Sequence, residues 1–142
     1  MKTRIATLFI ILFAVFSIVS ASDIEVLYGT WANEEYENYY GKYIYNSDGT
    51  GLHYSRATLK NPDLECRFTI EERWTDRNGC TYYKILFQWG SYPYDESTPK
   101  KTWFIVIKID PSGNVMETVG TKFQYPEEIS PLDGSYMIHY RQ

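Results

Sequence analysis

The chain has 142 residues, with 14 Lys and Arg against 18 Asp and Glu, a formal charge of −4. That length holds one hydrophobic core, since two would each bury too little apolar surface, and an aromatic content of 18% argues against a disordered chain. The acidic balance argues against a nucleic-acid partner, whose phosphates require a basic face.

The chain opens with Lys2 and Arg4, then an uncharged apolar run from Ile5 to Val19, then Ser20-Ala21-Ser22. A basic start, an apolar stretch of about 15 residues and small residues beyond it read as a secretory signal peptide cleaved after Ala21. The run is shorter than the about 20 apolar residues of a membrane span, so no stable membrane anchor is expected after cleavage. No Cys follows it, which removes a lipid anchor. The expected mature chain is a single domain over 22–142, secreted or periplasmic. Losing Lys2 and Arg4 takes its charge from −4 to −6.

Beyond the signal, strand-like runs alternate with turn signals, and no stretch sustains a 3.6-residue apolar period. Leu27 to Trp31 reads as the first strand. Tyr43-Ile44-Tyr45 and Leu52-His53-Tyr54 flank Asp48-Gly49, and Arg67 to Trp74 and Thr81 to Trp89 flank Asn78-Gly79. Both dipeptides suit two-residue hairpin turns with positive φ at each position. Trp103 to Ile109 and Val115 to Val119 flank Pro111-Ser112-Gly113, a type I turn closed by a glycine bulge. Tyr136 to Arg141 is the eighth strand.

These turns set the expected faces. An Asn78-Gly79 turn puts Trp74 opposite Tyr83, Glu72 opposite Ile85, Ile70 opposite Phe87 and Phe68 opposite Trp89, an apolar face interrupted only by Glu72. The third hairpin stacks Trp103, Ile105, Ile107 and Ile109 against Val115, Glu117 and Val119. The first groups Tyr43, Tyr45, Leu52 and Tyr54. Eight strands with one apolar face each must cover that face. Hairpins in series favour an all-β, eight-stranded antiparallel up-and-down barrel, with a two-sheet β-sandwich as the alternative. The long connections Ser91 to Lys101 and Lys122 to Gly134 are expected at the barrel mouth. Cys80 adjoins the Asn78-Gly79 turn, whereas Cys66 lies at the far end of the strand leading into it, about eight residues or ~25 Å away along the ladder, too far for a disulfide.

Gly29-Thr30-Trp31, opening the first strand of such a barrel, resembles the Gly-x-Trp motif of the lipocalin and calycin superfamily. The resemblance implies that Trp31 closes the barrel base and that Arg141, at the end of the last strand, packs across it, a cation–π contact of about 0.5–2 kcal/mol. Gly29, Trp31 and Arg141 are then structural residues, not ligand contacts. The longer pattern Gly29-Thr30-Trp31-Ala32-Asn33, Asp48-Gly49-Thr50-Gly51 and Tyr140-Arg141 is similar to small exported lipocalin-like bacterial proteins of unassigned function. The helix that follows the last strand in lipocalins has no counterpart before Gln142. Asn33 also completes the Gly-x-Trp-x-Asn start of avidin-like barrels, although the rest of an avidin pocket is not matched.

No catalytic constellation stands out: there is no Gly-x-Ser-x-Gly, no phosphate-cradling glycine loop and no His-Glu-x-x-His, so neither an enzyme nor a cofactor is expected. Two Cys and two His are too few for a Cys/His zinc site. His53 and His139 read as half-exposed strand residues. Glu72 and Glu117 fall on inward faces, where a carboxylate must be hydrogen-bonded, protonated or wet, with Tyr43, Tyr45, Tyr54 and Tyr83 as donors. The Glu34-Glu35-Tyr36-Glu37 run reads as a solvated loop. The expected function is binding of a small apolar or amphipathic ligand in a cavity lined by Glu72, Trp74, Tyr83, Phe87, Trp89, Trp103, Glu117, Tyr43 and Tyr45. The alternative is a solid barrel acting through loops, such as the one bearing Tyr92, Tyr94, Asp95 and Glu96, as an inhibitor or surface-interaction module.

Overall fold

The computed structural model describes residues 25–36, 39–55 and 60–142; the expected signal peptide, residues 1–21, lies outside them. Eight strands follow in order: β1 (Gly29–Tyr36), β2 (Tyr39–Tyr45), β3 (Thr50–Tyr54), β4 (Leu64–Thr75), β5 (Thr81–Ser91), β6 (Lys101–Ile109), β7 (Val115–Thr121) and β8 (Met137–Arg141). Each pairs antiparallel with the next and β8 returns to β1, closing an up-and-down barrel. Closure removes the free edges that a two-sheet sandwich would keep. Glu34, Glu35 and Tyr36, expected in a loop, extend β1 instead.

The three tight turns each begin with Asn or Asp and end with Gly: Asn46–Gly49, Asp76–Gly79 and Asp110–Gly113. In each, the glycine N–H donates to the carbonyl three residues back, at 3.2, 3.1 and 2.9 Å. Only the glycine has a positive φ, at 82°, 84° and 75°. The first two are therefore type I turns closed by a left-handed glycine, not the expected two-residue turns. The leading side chain helps to decide this. Asp76 Oδ1 accepts from the N–H groups of Asn78 and Cys80, and Asp110 Oδ1 accepts from those of Asn114 and Val115. That arrangement stabilises a type I start.

The first two ladders are consequently displaced by one residue. The third, whose turn is of the expected type, is displaced by one because the Asp110 N–H donates to the Val115 carbonyl, and such a slip exchanges the two faces of a strand. Tyr43 faces His53 and Tyr45 faces Gly51, so His53 turns inward in place of Leu52 and Tyr54. Ile109 faces Met116 and Ile107 faces Thr118, which sends Met116 and Thr118 inward and Glu117 and Val119 outward. Glu72 faces Lys84 and Trp74 faces Tyr82 on the outside. A bulge between Ile70 and Glu72 restores the inward parity of Cys66, Phe68 and Ile70. The lower interior is filled by side chains. Tyr45, Phe68 and Phe87 pack at centroid separations of 5.6–5.8 Å, ordinary aromatic contact, with Ile85, Ile107, Ile109 and Met116 completely buried beside them.

The tight turns and residues 25–28 share one end of the barrel, the turn end; the connections after β3, β5 and β7 share the other, the loop end. Trp31 is fully buried at the turn end, its indole N–H donating to the Leu27 carbonyl at 2.8 Å. Arg141 lies 4.2 Å above its ring. The guanidinium also donates to the carbonyls of Gly113 at 2.7 Å and Tyr28 at 3.0 Å, and to that of Val26. Gly29 sits at φ +126°, and a Cβ there would stand 2.8 Å from Arg141 Nη1. The Gly-x-Trp glycine is thus required both by backbone conformation and by room for the guanidinium. Cys66 and Cys80 are both free. Burial pushes the Cys66 thiol up to about 12, which makes it a packed hydrophobe rather than a nucleophile.

Replacing Arg141 by Ala leaves three part-buried carbonyls without their donor and should lower the unfolding free energy by roughly 2–3 kcal/mol. Arg141→Lys should recover less than half of this, because one ammonium cannot reproduce the planar fork. Urea denaturation checks both variants. A loss below about 0.5 kcal/mol, the scatter of an ordinary surface substitution, would contradict the role given to the guanidinium.

Candidate functional site

Inward-facing residues near the loop end are only part buried: Tyr43, Trp89, Trp103 and Ile105 all pack against the core yet remain in reach of solvent. Among them lie two histidines that the expected register had placed at half-exposed positions. His53 is 5% exposed and His139 2%. The Tyr43 ring bridges them, 4.6 Å from His53 and edge-on to His139 at 5.1 Å. Trp89 stands 6.3 Å from both Tyr43 and His53 and stacks on Phe87 at 5.7 Å. Aromatic faces and two imidazoles therefore share one buried cluster.

The imidazoles are incompletely satisfied. His139 Nε2 meets Thr118 Oγ1 at 3.3 Å, but its Nδ1 is buried without a partner. His53 Nδ1 lies 3.1 Å from Asp63 Oδ1, close enough for electrostatic attraction but off the line of a hydrogen bond. The carboxylate favours a proton on Nδ1, which leaves Nε2, also buried and unpartnered, as a lone-pair acceptor. Burial lowers the proton affinity of His53, against the pull of Asp63. Burial, reinforced by repulsion from His53, takes His139 down to about 4. Both rings are neutral at pH 7.

Of the residues expected to line a cavity, the fold brings Tyr43, Tyr45, Tyr83, Phe87, Trp89 and Trp103 inside. Glu72, Trp74 and Glu117 are corrected to the outer face by the turn registers. Glu72 pairs with Lys84 at 2.5 Å, and Trp74 is 39% exposed. Glu117 pairs with Lys108 at 2.8 Å and accepts from the Tyr136 hydroxyl at 2.7 Å. Tyr54, outside as well, lies 4.1 Å beneath Lys42 Nζ. A tyrosine–carboxylate bond does exist near the core, with a different acid: Tyr83 donates to Glu25 Oε2 at 2.6 Å, and Glu25 also binds Arg73. This pair belongs to the packed turn end. Asn33 is fully buried.

A second apolar layer, absent from the sequence-based expectation, lies outside the barrel. Val106 and Val119 face outward yet are 5% and 0% exposed. The β7–β8 connection folds back near them, with the Tyr125 ring edge-on to Phe104 at 5.2 Å and its hydroxyl donating to Glu71 at 2.6 Å. Polar contacts fasten the β5–β6 connection to β4: Glu65 accepts from the Tyr94 N–H at 2.9 Å, and Arg67 lies 4.2 Å over the Tyr94 ring.

No known protein family, curated protein or solved structure matches this chain. The closed eight-stranded barrel, with Trp31 beneath Arg141, is compatible with the lipocalin-like fold that the Gly-x-Trp motif implies.

The histidines make stability depend on pH. A group whose proton affinity falls on folding leaves the unfolded chain binding more protons, so stability drops as pH falls below the unfolded value of about 6.5 and levels off near the folded one. With His139 at about 4, its share of the loss between pH 7 and pH 5 is about 2 kcal/mol. Urea denaturation at the two pH values should show this loss, and His139→Phe should remove most of it. An unchanged slope in that variant would contradict the burial of a neutral His139.

Proposed function

We propose that this protein is an exported lipocalin-like binding barrel that holds a small, neutral, amphipathic molecule at its loop end. The observation that carries this reading is the pair of buried, unpartnered imidazole nitrogens, His53 Nε2 and His139 Nδ1, in one aromatic cluster. A buried polar atom without a partner costs about 1–3 kcal/mol, which a polar group of a bound molecule would offset. Tyr43, Trp89 and Trp103 would cover its apolar part. A charged ligand fits poorly, because neither imidazole carries a compensating charge at pH 7 and burying an unmatched ion is costly. The side chains that fill the turn end restrict the molecule to the upper interior. Binding is favoured over catalysis because a histidine with its proton affinity depressed as far as that of His139 is a weak general base at neutral pH.

Gly120 pairs with Ile105 on the inward side of β7, two residues from Thr118, which meets His139. A Cβ there would come within 3.0 Å of Ile105 Cγ1 and 3.5 Å of Trp103 Cε3, so Gly120→Val pushes bulk into the cluster. Native mass spectrometry of protein isolated from its producing cells should show a small organic adduct that is lost on denaturation. The adduct should be absent from folded Gly120→Val and from folded His139→Phe. A bare polypeptide mass for the unmodified protein, or equal occupancy in both variants, would contradict the reading.

A further inference from the structure

A separate cleft of about 300 Å³ lies outside the barrel, between the outer face of β4, β5 and β6 and the segment 126–129 of the β7–β8 connection. Trp74 and Tyr82 form part of the sheet side. Their rings are parallel within 6° at 5.2 Å, and Trp74 keeps 39% of its surface in solvent. Pro126, Glu127, Glu128 and Ile129 form the other side, with Glu72, Lys84 and Val106 completing the lining. Three carboxylates therefore stand against one ammonium. Lys84 is matched by Glu72, and its Nζ lies 5.9 Å from the ring centroids of both Trp74 and Tyr125. Among the described residues, neither Glu127 nor Glu128 enters an ion pair.

The chemistry of this cleft selects its occupant. An exposed indole face stacked on a tyrosine attracts a cation through the ring quadrupole. Two uncompensated carboxylates across the gap repel anions, and a neutral apolar occupant would desolvate them without return. A guanidinium meets both requirements, because it is planar enough to lie on the indole and presents a fork of donors to a carboxylate. The volume is at the small end for ligand sites, room for such a group and a short alkyl stem. From these features we propose that the cleft is a second binding site, for a guanidinium group, either an arginine side chain of a peptide or a free arginine-like cation. The site is built from the outer sheet face and does not depend on the loop-end cluster.

Two-dimensional NMR of the ¹⁵N-labelled protein follows the tryptophan indole N–H signals, with Trp74 assigned through Trp74→Phe. The probes are agmatine and the blocked tripeptide acetyl-Gly-Arg-Gly-amide. The Trp74 signal should move while that of buried Trp31 stays in place, and the apparent affinity should fall in roughly 0.5 M salt. The surface variant Glu127→Gln/Glu128→Gln should bind at least about fivefold more weakly, having lost its charge-assisted hydrogen bonds. A stronger response to the tripeptide identifies a peptide arginine as the source, and a response to agmatine alone identifies a free cation. Three results would each overturn the proposal: no movement of Trp74 with either probe at ~10 mM, in the millimolar range where even weak association registers; equal binding by the double variant; or an equal response to uncharged N-butylurea.

Discussion

One guanidinium lying on one indole joins the first strand of this barrel to the last. In an up-and-down barrel every strand pairing but one is made between neighbours in sequence. The exception is β1 with β8, which among the described residues has two residue pairs, Trp31 with Arg141 and Ala32 with Tyr140, where β4 with β5 has eleven. Closure through so short a ladder needs reinforcement, and Arg141 supplies it. Its side chain ties the last strand to the Val26 and Tyr28 carbonyls before β1 and to the Gly113 carbonyl in the β6–β7 turn. Removing water from the indole face strengthens the same contact. Gly29 is the local cost of this arrangement, a position where a Cβ would meet the guanidinium.

The two ends of the barrel are packed differently. The tight turns, Leu27, Trp31 and the Tyr83–Glu25 bond occupy the turn end with satisfied polar groups and close packing. At the loop end the aromatic residues are half-covered, and the two buried imidazoles retain nitrogens without partners. Unmet hydrogen-bonding capacity in an otherwise packed interior is where a bound molecule gains most. The outer cleft follows a different logic, because there the β7–β8 connection supplies uncompensated charge opposite a stacked aromatic pair. A rigid barrel carrying binding chemistry on and beneath its connecting loops is a common division of labour in β proteins.

Much of this was legible in the residues. The alternation of apolar side chains, the glycine turns and the short connections specify eight strands in order, and Gly29, Trp31 and Arg141 announce the closure. The faces were harder to read. Asp48-Gly49 and Asn78-Gly79 look like two-residue turns if read as dipeptides, whereas Asn46 and Asp76 show that the turn begins earlier. The same Asn/Asp-x-x-Gly spacing recurs at Asp110–Gly113 and was available as a signal. Reading the first two turns as dipeptides puts Glu72 and Trp74 inside and His53 on the less apolar face, whereas Glu117 turns outward because the β6–β7 connection carries one further residue, its Asp110 N–H donating to the Val115 carbonyl. The bulge after Ile70 has no comparable mark in the sequence; it reconciles the turn's register with burial of Cys66 and Phe68. The outer burial of Val106 and Val119 depends on the path of a long connection, which strand periodicity does not specify.

The Arg141 contacts fasten the barrel at the turn end, so the loop end should yield first. Residue-resolved amide hydrogen exchange under native conditions tests this directly. The Arg141 and Gln142 amides, which donate to the Asn114 and Thr30 carbonyls, should exchange as slowly as the centre of β5, approaching the free energy of global unfolding. Amides at the loop-end termini of β3, β5 and β7 should exchange through smaller local openings. Exchange that begins at Arg141 and Gln142 while those termini stay protected would contradict the account.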